Sequence, residues 1–149
     1  EKRVNRWRSY SLANPPDTND YLEICLNKVP GGMGSTFLFE HIQIGSKLKF
    51  KEPEGSFTLE NLQDKEIIML ATGTGVVPFR SMLMDPKRKV KSAHLIYGTR
   101  YKEDLLYEID FAQLKQSWRG FKYDICLSKE PNWNGAPFRL RALNHLFLS

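Results

Sequence analysis

The feature that most constrains this chain is a change of pattern near residue 65, where short alternating runs give way to longer apolar ones. Ile67-Ile68-Met69-Leu70 is a continuous apolar run, the signature of a parallel strand buried on both faces. It runs straight into Ala71-Thr72-Gly73-Thr74-Gly75-Val76-Val77-Pro78, a glycine-rich turn with a proline suited to the first turn of a helix. A helix is predicted over 78–84 and a second buried strand over 93–97. A helix over 105–118 follows, with Leu106, Ile109, Phe111 and Leu114 available for one apolar face. Residues 121–127 read as a third strand. Strand and helix in alternation at this spacing specify an open parallel α/β sheet.

The first part of the chain has a different pattern. Residues 21–29 alternate with period two, as a half-buried strand does, between the turn signal at 14–20 and Pro30-Gly31-Gly32. Residues 36–41 fit a short helix, 47–51 a second alternating run, and 56–59 another strand-like segment after Pro53 and Gly55. Short strands punctuated by glycine and proline predict an antiparallel sheet or barrel. The division falls near 59–65, so a β-barrel-type domain is expected over 1–62 and an α/β domain over 63–149.

Composition narrows the field further. With 41% hydrophobic and 26% charged residues among 149, the chain can bury a core and is not a disordered segment. Its formal charge of +5 suits a phosphorylated ligand or an acidic partner, but the basic residues are scattered and give no continuous face for nucleic acid. The densest run, 87–91, reads as an exposed loop. Cys25 and Cys126 sit in apolar runs, and neither they nor the three histidines show metal-ligand spacing. Free thiols and no apolar stretch long enough to span a bilayer lead to the expectation of a soluble, cytoplasmic protein without a metal site.

Three segments could carry chemistry. The glycines of Thr72-Gly73-Thr74-Gly75 allow close approach to the backbone, and a helix starting at the carboxyl end of a parallel strand attracts phosphate. The same pattern also serves a plain strand-to-helix turn, and it is neither Gly-x-Gly-x-x-Gly nor a P-loop. In Arg8-Ser9-Tyr10-Ser11, a ring beside a hydroxyl can cover a flat heterocycle while the guanidinium takes a phosphate. An amphipathic edge strand has the same composition. Gly32-Met33-Gly34-Ser35 offers backbone N–H groups and a hydroxyl to a pyrophosphate, or forms a simple turn.

In this order the segments resemble the ferredoxin-NADP reductase superfamily. Arg8, Tyr10 and Ser11 match its Arg-x-Tyr-Ser motif. Gly32, Met33, Gly34 and Ser35, with Leu38, match its Gly-x-x-Ser element. Gly45-Ser46-Lys47-Leu48 and Pro53-Glu54-Gly55-Ser56-Phe57 match two further barrel elements, with Glu52 where glycine is usual. Thr72-Gly73-Thr74-Gly75-Val76-Val77-Pro78 resembles Thr-Gly-Thr-Gly-x-Ala-Pro, and Tyr97-Gly98-Thr99-Arg100 resembles Tyr-Gly-x-Arg. Ser128-Lys129 stands where members that prefer NADP carry Ser-Arg.

The resemblance implies a partial antiparallel flavin-binding barrel followed by the parallel α/β nucleotide-binding domain. It implies FAD in preference to FMN as cofactor, and NADPH or NADH as substrate, with Ser128-Lys129 favouring NADPH. Tyr10 and Ser11 would meet the reactive part of the flavin. Arg8 and Gly32 to Ser35 would hold its phosphates, and Thr72 would meet flavin and nicotinamide. Gly73, Thr74, Gly75, Arg100, Ser128 and Lys129 would hold the dinucleotide. Arg100 also suits a surface ion pair with Glu103 or Asp104.

The activity so implied is hydride transfer from NAD(P)H to FAD, then release of single electrons to ferredoxin or another iron-sulfur or haem partner. Members carry barrel strands before the Arg-x-Tyr-Ser motif and a Cys-Gly element near their end. Neither is found here, so the chain is expected to be cut short at both ends. A nucleotide-binding or assembly module without catalysis is the alternative.

Overall fold

A computed structural model of the chain describes residues 7–16 and 20–135. The parallel sheet expected of the second half is present. Its strands are β1 (Glu66–Thr72), β2 (Ser92–Thr99) and β3 (Phe121–Leu127), in the order β1-β2-β3. Both pairings are parallel, with Ile67 opposite Ala93 and Ala93 opposite Phe121. Helix α2 (Val77–Met84) connects β1 to β2, after a 3-10 turn over Gly73–Val76. Helix α3 (Glu108–Ser117) connects β2 to β3.

The core explains how the sheet and helices hold together. Met69 and Ala71 of β1, Ala93, Leu95 and Tyr97 of β2, and Phe121 and Tyr123 of β3 all lie on one face, as period two requires. Leu83 of α2 and Phe111 and Leu114 of α3 join them in one buried cluster. Each of the larger side chains contributes roughly 1.5–3 kcal/mol by leaving water, and the alanines less. The aromatic members also pack on one another. The Phe111 ring centroid lies 5.3 Å from Tyr123 and 6.5 Å from Phe121.

The expectation of strands buried on both faces needs correction. Ile68 is 70% exposed, and its face also carries the His94–Asp124 pair and exposed Lys122. Both α2 and α3 pack on the Met69 face, so the apolar run of β1 outstrips what the helices cover. The third helix also starts later than predicted. Tyr107 adopts a left-handed φ of 58° immediately before it, which cuts Leu105 and Leu106 off as an approach loop. Ile109 then points outward, 72% exposed, and not onto the apolar face.

The first half forms fewer ladders than its alternation suggests. Leu12 and Ile24 make one antiparallel bridge. Around it, the Ala13 N–H donates to the Glu23 carbonyl, and the Asn14 side chain accepts from the Glu23 N–H and donates to the Tyr21 carbonyl. The predicted strands over 47–51 and 56–59 form no ladder among the described residues. Alternation marks which side of a strand is apolar; it does not supply a partner for the backbone. Phe50 and Phe57 accordingly stay exposed. Helix α1 (Met33–Glu40) begins three residues earlier than predicted, inside the glycine turn itself.

Candidate functional site

The start of α1 is the first place where expected site residues meet. Gly32 is its N-cap and contributes no capping side chain, so the positive end of the helix faces outward without a side-chain acceptor. Arg8 and Tyr10 lie across this first turn. A Cβ on Gly34 would stand 3.1 Å from Arg8 Cγ and 3.2 Å from Tyr10 Oη, so the close approach depends on glycine. Arg8 and Ser11 are exposed, and Tyr10 is at the margin of exposure. Among the described residues, Arg8 Nη1 donates to the carbonyl of its neighbour Trp7, and Arg8 is exposed. A positive helix end, a guanidinium and a phenol on one glycine surface fit an anionic phosphate group.

Ser35 plays a different part from the one its motif suggests. It is buried, and its Oγ accepts from the Val29 N–H at 3.0 Å and donates to the Gly32 carbonyl at 3.1 Å. The hydroxyl braces the glycine turn from inside. Gly32 shows the same tight packing, since a Cβ there would come within 2.9 Å of Ser35 Oγ. Met33 stands exposed at the head of the helix. Replacing Gly34 by alanine is expected to push Arg8 and Tyr10 off the turn and weaken flavin binding roughly tenfold, which is about 1.4 kcal/mol. Fluorescence titration with FAD checks it, and unchanged affinity would detach these residues from the flavin.

The second meeting place is the carboxyl edge of the parallel sheet, where ligands of open α/β sheets bind. Thr72 ends β1, exposed and extended. Gly73 turns the chain with φ +50°, a left-handed conformation that glycine adopts at little cost. Thr74 and Gly75 complete the turn, Gly75 open to solvent. Arg100, Ser128 and Lys129 are brought side by side just beyond β2 and β3. The Ser128 N–H donates to the Thr99 carbonyl and the Lys129 N–H to the Arg100 carbonyl at 2.9 Å. All three side chains are exposed. Arg100 forms no ion pair with Glu103 or Asp104 among the described residues; Asp104 instead accepts from the Tyr101 N–H.

Two features were not foreseen. Tyr97 is fully buried, and its hydroxyl donates to the Gly73 carbonyl at 3.1 Å while accepting from the Leu106 N–H at 3.3 Å. It ties the glycine turn to the loop before α3. Burial pushes its pKa up despite the opposing Leu106 hydrogen bond, so the phenol stays neutral and keeps its proton to donate. The second is a junction on Arg80. Its Nε donates to Asp110 at 2.6 Å, and its Nη1 donates to the Ala13 carbonyl at 2.7 Å and to Glu23 at 3.1 Å. The guanidinium lies over the Tyr107 ring, 4.3 Å from its centroid. The Tyr107 hydroxyl donates to Glu23, and Ser81 Oγ donates to the Asn14 carbonyl. Burial alone would lower the Arg80 pKa, but Asp110 and Glu23 outweigh it and the net shift is upward. One signal existed in the sequence: a cation near the start of a helix opposes the helix dipole and therefore wants specific acceptors.

Among the described residues there is no cluster of side chains able to hold a metal, and no helix is long and apolar enough to cross a membrane.

Residues 1–59 match the model of an oxidoreductase FAD-binding domain, and residues 69–142 that of an oxidoreductase NAD-binding domain. The chain is 35% identical over 131 residues to ferredoxin-NADP reductase B of Sorangium cellulosum, covering 86% of this chain and 53% of that protein. It is 32% identical over 132 residues to the anthranilate 1,2-dioxygenase electron transfer component of Acinetobacter baylyi, covering 87% of this chain and 38% of that one. The chain thus spans about half, or less, of these relatives. In structure it resembles a ferredoxin NADP+ reductase from Neisseria gonorrhoeae with bound FAD and NADP. That match has a TM-score of 0.78 and 25% identity, and covers 95% of this chain and 58% of that one. On its two family matches, its relatives and its fold, the chain belongs to the ferredoxin-NADP reductase superfamily.

Proposed function

We propose that this chain is the flavin- and nicotinamide-binding part of an NAD(P)H-dependent flavoprotein reductase that passes electrons to a one-electron carrier. The observation that carries the reading is the packing of Arg8 and Tyr10 on Gly34 at the uncapped start of α1. The relatives' names point the same way, to a ferredoxin and to a dioxygenase system as electron acceptors. Residues 1–62 form the FAD-binding unit and 63–149 the NAD(P)-binding unit. The reduced thiols of Cys25 and Cys126 accord with a reducing compartment, the cytoplasm.

Bound FAD supplies two-electron acceptance from a nicotinamide and one-electron release to a carrier. The chain's own groups bind and orient. Arg8 and the first turn of α1 would hold the pyrophosphate, Tyr10 would cover a ring face, and the exposed Ser11 hydroxyl would hydrogen-bond the ring edge. Thr72 and the Gly73–Val76 turn receive the dinucleotide at the sheet's carboxyl edge. Arg100, Ser128 and Lys129 form its polar end, where the cations favour the extra phosphate of NADPH.

The test is an absorbance spectrum of the purified protein between about 350 and 500 nm, before and after NADPH under nitrogen. Yellow protein that bleaches is the expected result. A colourless protein that takes up no added flavin would overturn the reading and leave a nucleotide-binding module without catalysis.

A further inference from the structure

Arg80 is placed where neither the flavin-side residues nor the nucleotide-side residues require it for binding. It sits on α2, five residues after Gly75 of the nucleotide turn, and its side chain reaches residues of both halves of the chain. The Ala13 carbonyl it holds is two residues from Ser11, in a segment that is fully buried at Ala13 and nearly so at Asn14. Ala13 and Glu23 are themselves bonded across the Leu12–Ile24 bridge. Arg80 therefore grips both strands of that bridge from one side, while Asp110 on α3 grips the guanidinium from the other. Tyr107 closes the arrangement, with its ring beneath the guanidinium and its hydroxyl on Glu23. Ser81, the next residue of α2, adds a bond to Asn14.

A guanidinium suits this work because its N–H groups radiate in one rigid plane, so acceptors from different segments fix one another's positions. Lysine would supply charge without that plane. The three acceptors come from residues 13, 23 and 110, and side-chain exposure at the two ion pairs is 16% for Arg80, 31% for Glu23 and 27% for Asp110. These are sheltered contacts, less screened than surface pairs.

We propose that Arg80 is a positioning residue: through Ala13, Glu23 and Asp110 it sets the distance between the Tyr10-Ser11 segment and the Thr72–Val76 turn, and so the approach of hydride donor to acceptor. This rests on the proposed reductase activity. Hydride transfer demands reacting atoms held near contact, so a small change in this distance acts on the rate more than on either affinity.

The experiment compares wild type with Arg80→Met, Arg80→Lys and Tyr107→Phe in the flavin-loaded chain. At saturating NADPH, flavin reduction by Arg80→Met is expected to slow about 10- to 100-fold. Dissociation constants for flavin and NADP+ should move less than about threefold. Arg80→Lys should recover part of the rate, and Tyr107→Phe should slow it less than Arg80→Met does. Hydrogen exchange, read without any flavin, is expected to quicken in Arg80→Met over residues 11–14 and 21–25 and over 107–112, leaving β1 and β2 unchanged. Wild-type rates in Arg80→Met, or affinity losses as large as the rate loss, would overturn the proposal. So would quickened exchange confined to α2. Should Arg80→Met not fold, unaltered rate and exchange in Tyr107→Phe overturn it equally. A wild type that is never reduced by NADPH overturns the reductase reading instead, and unchanged exchange in Arg80→Met would then remove the clamp as well.

Discussion

Phe111→Ala is expected to remove about 3–5 kcal/mol of stability, the cost of deleting a large buried ring and leaving a cavity. Phe111 is fully buried, and its ring packs against Phe121 and Tyr123 of β3. It comes from α3, so its loss loosens the helix that supplies Asp110 to Arg80 and the strand that leads to Ser128 and Lys129. Against a typical total of about 5–15 kcal/mol, that is a large share of the stability of the fold. Urea unfolding followed by circular dichroism would show a much lower midpoint. A shift worth less than about 1 kcal/mol would mean that the core closes over the gap and that the ring is dispensable to it.

The second large effect concerns Tyr97→Phe, a change of one oxygen atom. Its hydroxyl both donates to Gly73 and accepts from Leu106. Phenylalanine keeps the ring in the core and abandons both partners, at roughly 1–3 kcal/mol for sheltered groups left unsatisfied. Gly73 then loses the anchor that holds its left-handed turn. Affinity for NADPH is expected to fall about tenfold, or 1.4 kcal/mol, while flavin affinity is retained because the residues proposed to hold flavin, Arg8, Tyr10 and Gly34, lie elsewhere. Titration of each ligand in turn separates the two. Equal loss of both affinities would show that the hydroxyl supports the whole chain and not the nucleotide turn.

The parallel half of the fold was legible because its strands are marked twice, by apolar runs and by the turns that end them. Residues 67–70 and 121–127 fall inside β1 and β3. The antiparallel half was legible only as alternation, and alternation at 47–51 says nothing about which backbone stands alongside. Helix α3 was overrun at its start because Leu105 and Leu106 fit the helical spacing, whereas the left-handed Tyr107 that stops it follows no residue preference. Of the site residues, Arg8, Tyr10 and Gly34 were found in company. Arg100, Ser128 and Lys129 were too, since parallel strands deliver their ends to one edge. Ser35 was read as a ligand hydroxyl, but its Oγ turned inward, because a buried turn with an unpaired Val29 N–H needs an acceptor more than it needs a free hydroxyl. Arg80 escaped notice for a simple reason. Its acceptor Ala13 is 67 residues away and Glu23 is 57, and no local pattern encodes a meeting at that separation.

The Arg80 junction also bears on how such a chain can be rebuilt from parts. Positions 13 to 23 travel with one half and positions 80, 107 and 110 with the other, yet their polar groups complete a single hydrogen-bonded set. A chimera joined at the seam near residue 62 would inherit half of that set from each parent. Grafts should succeed between parents that both carry an acid at 23 opposite an arginine at 80, and should need those two positions exchanged together wherever one parent lacks either.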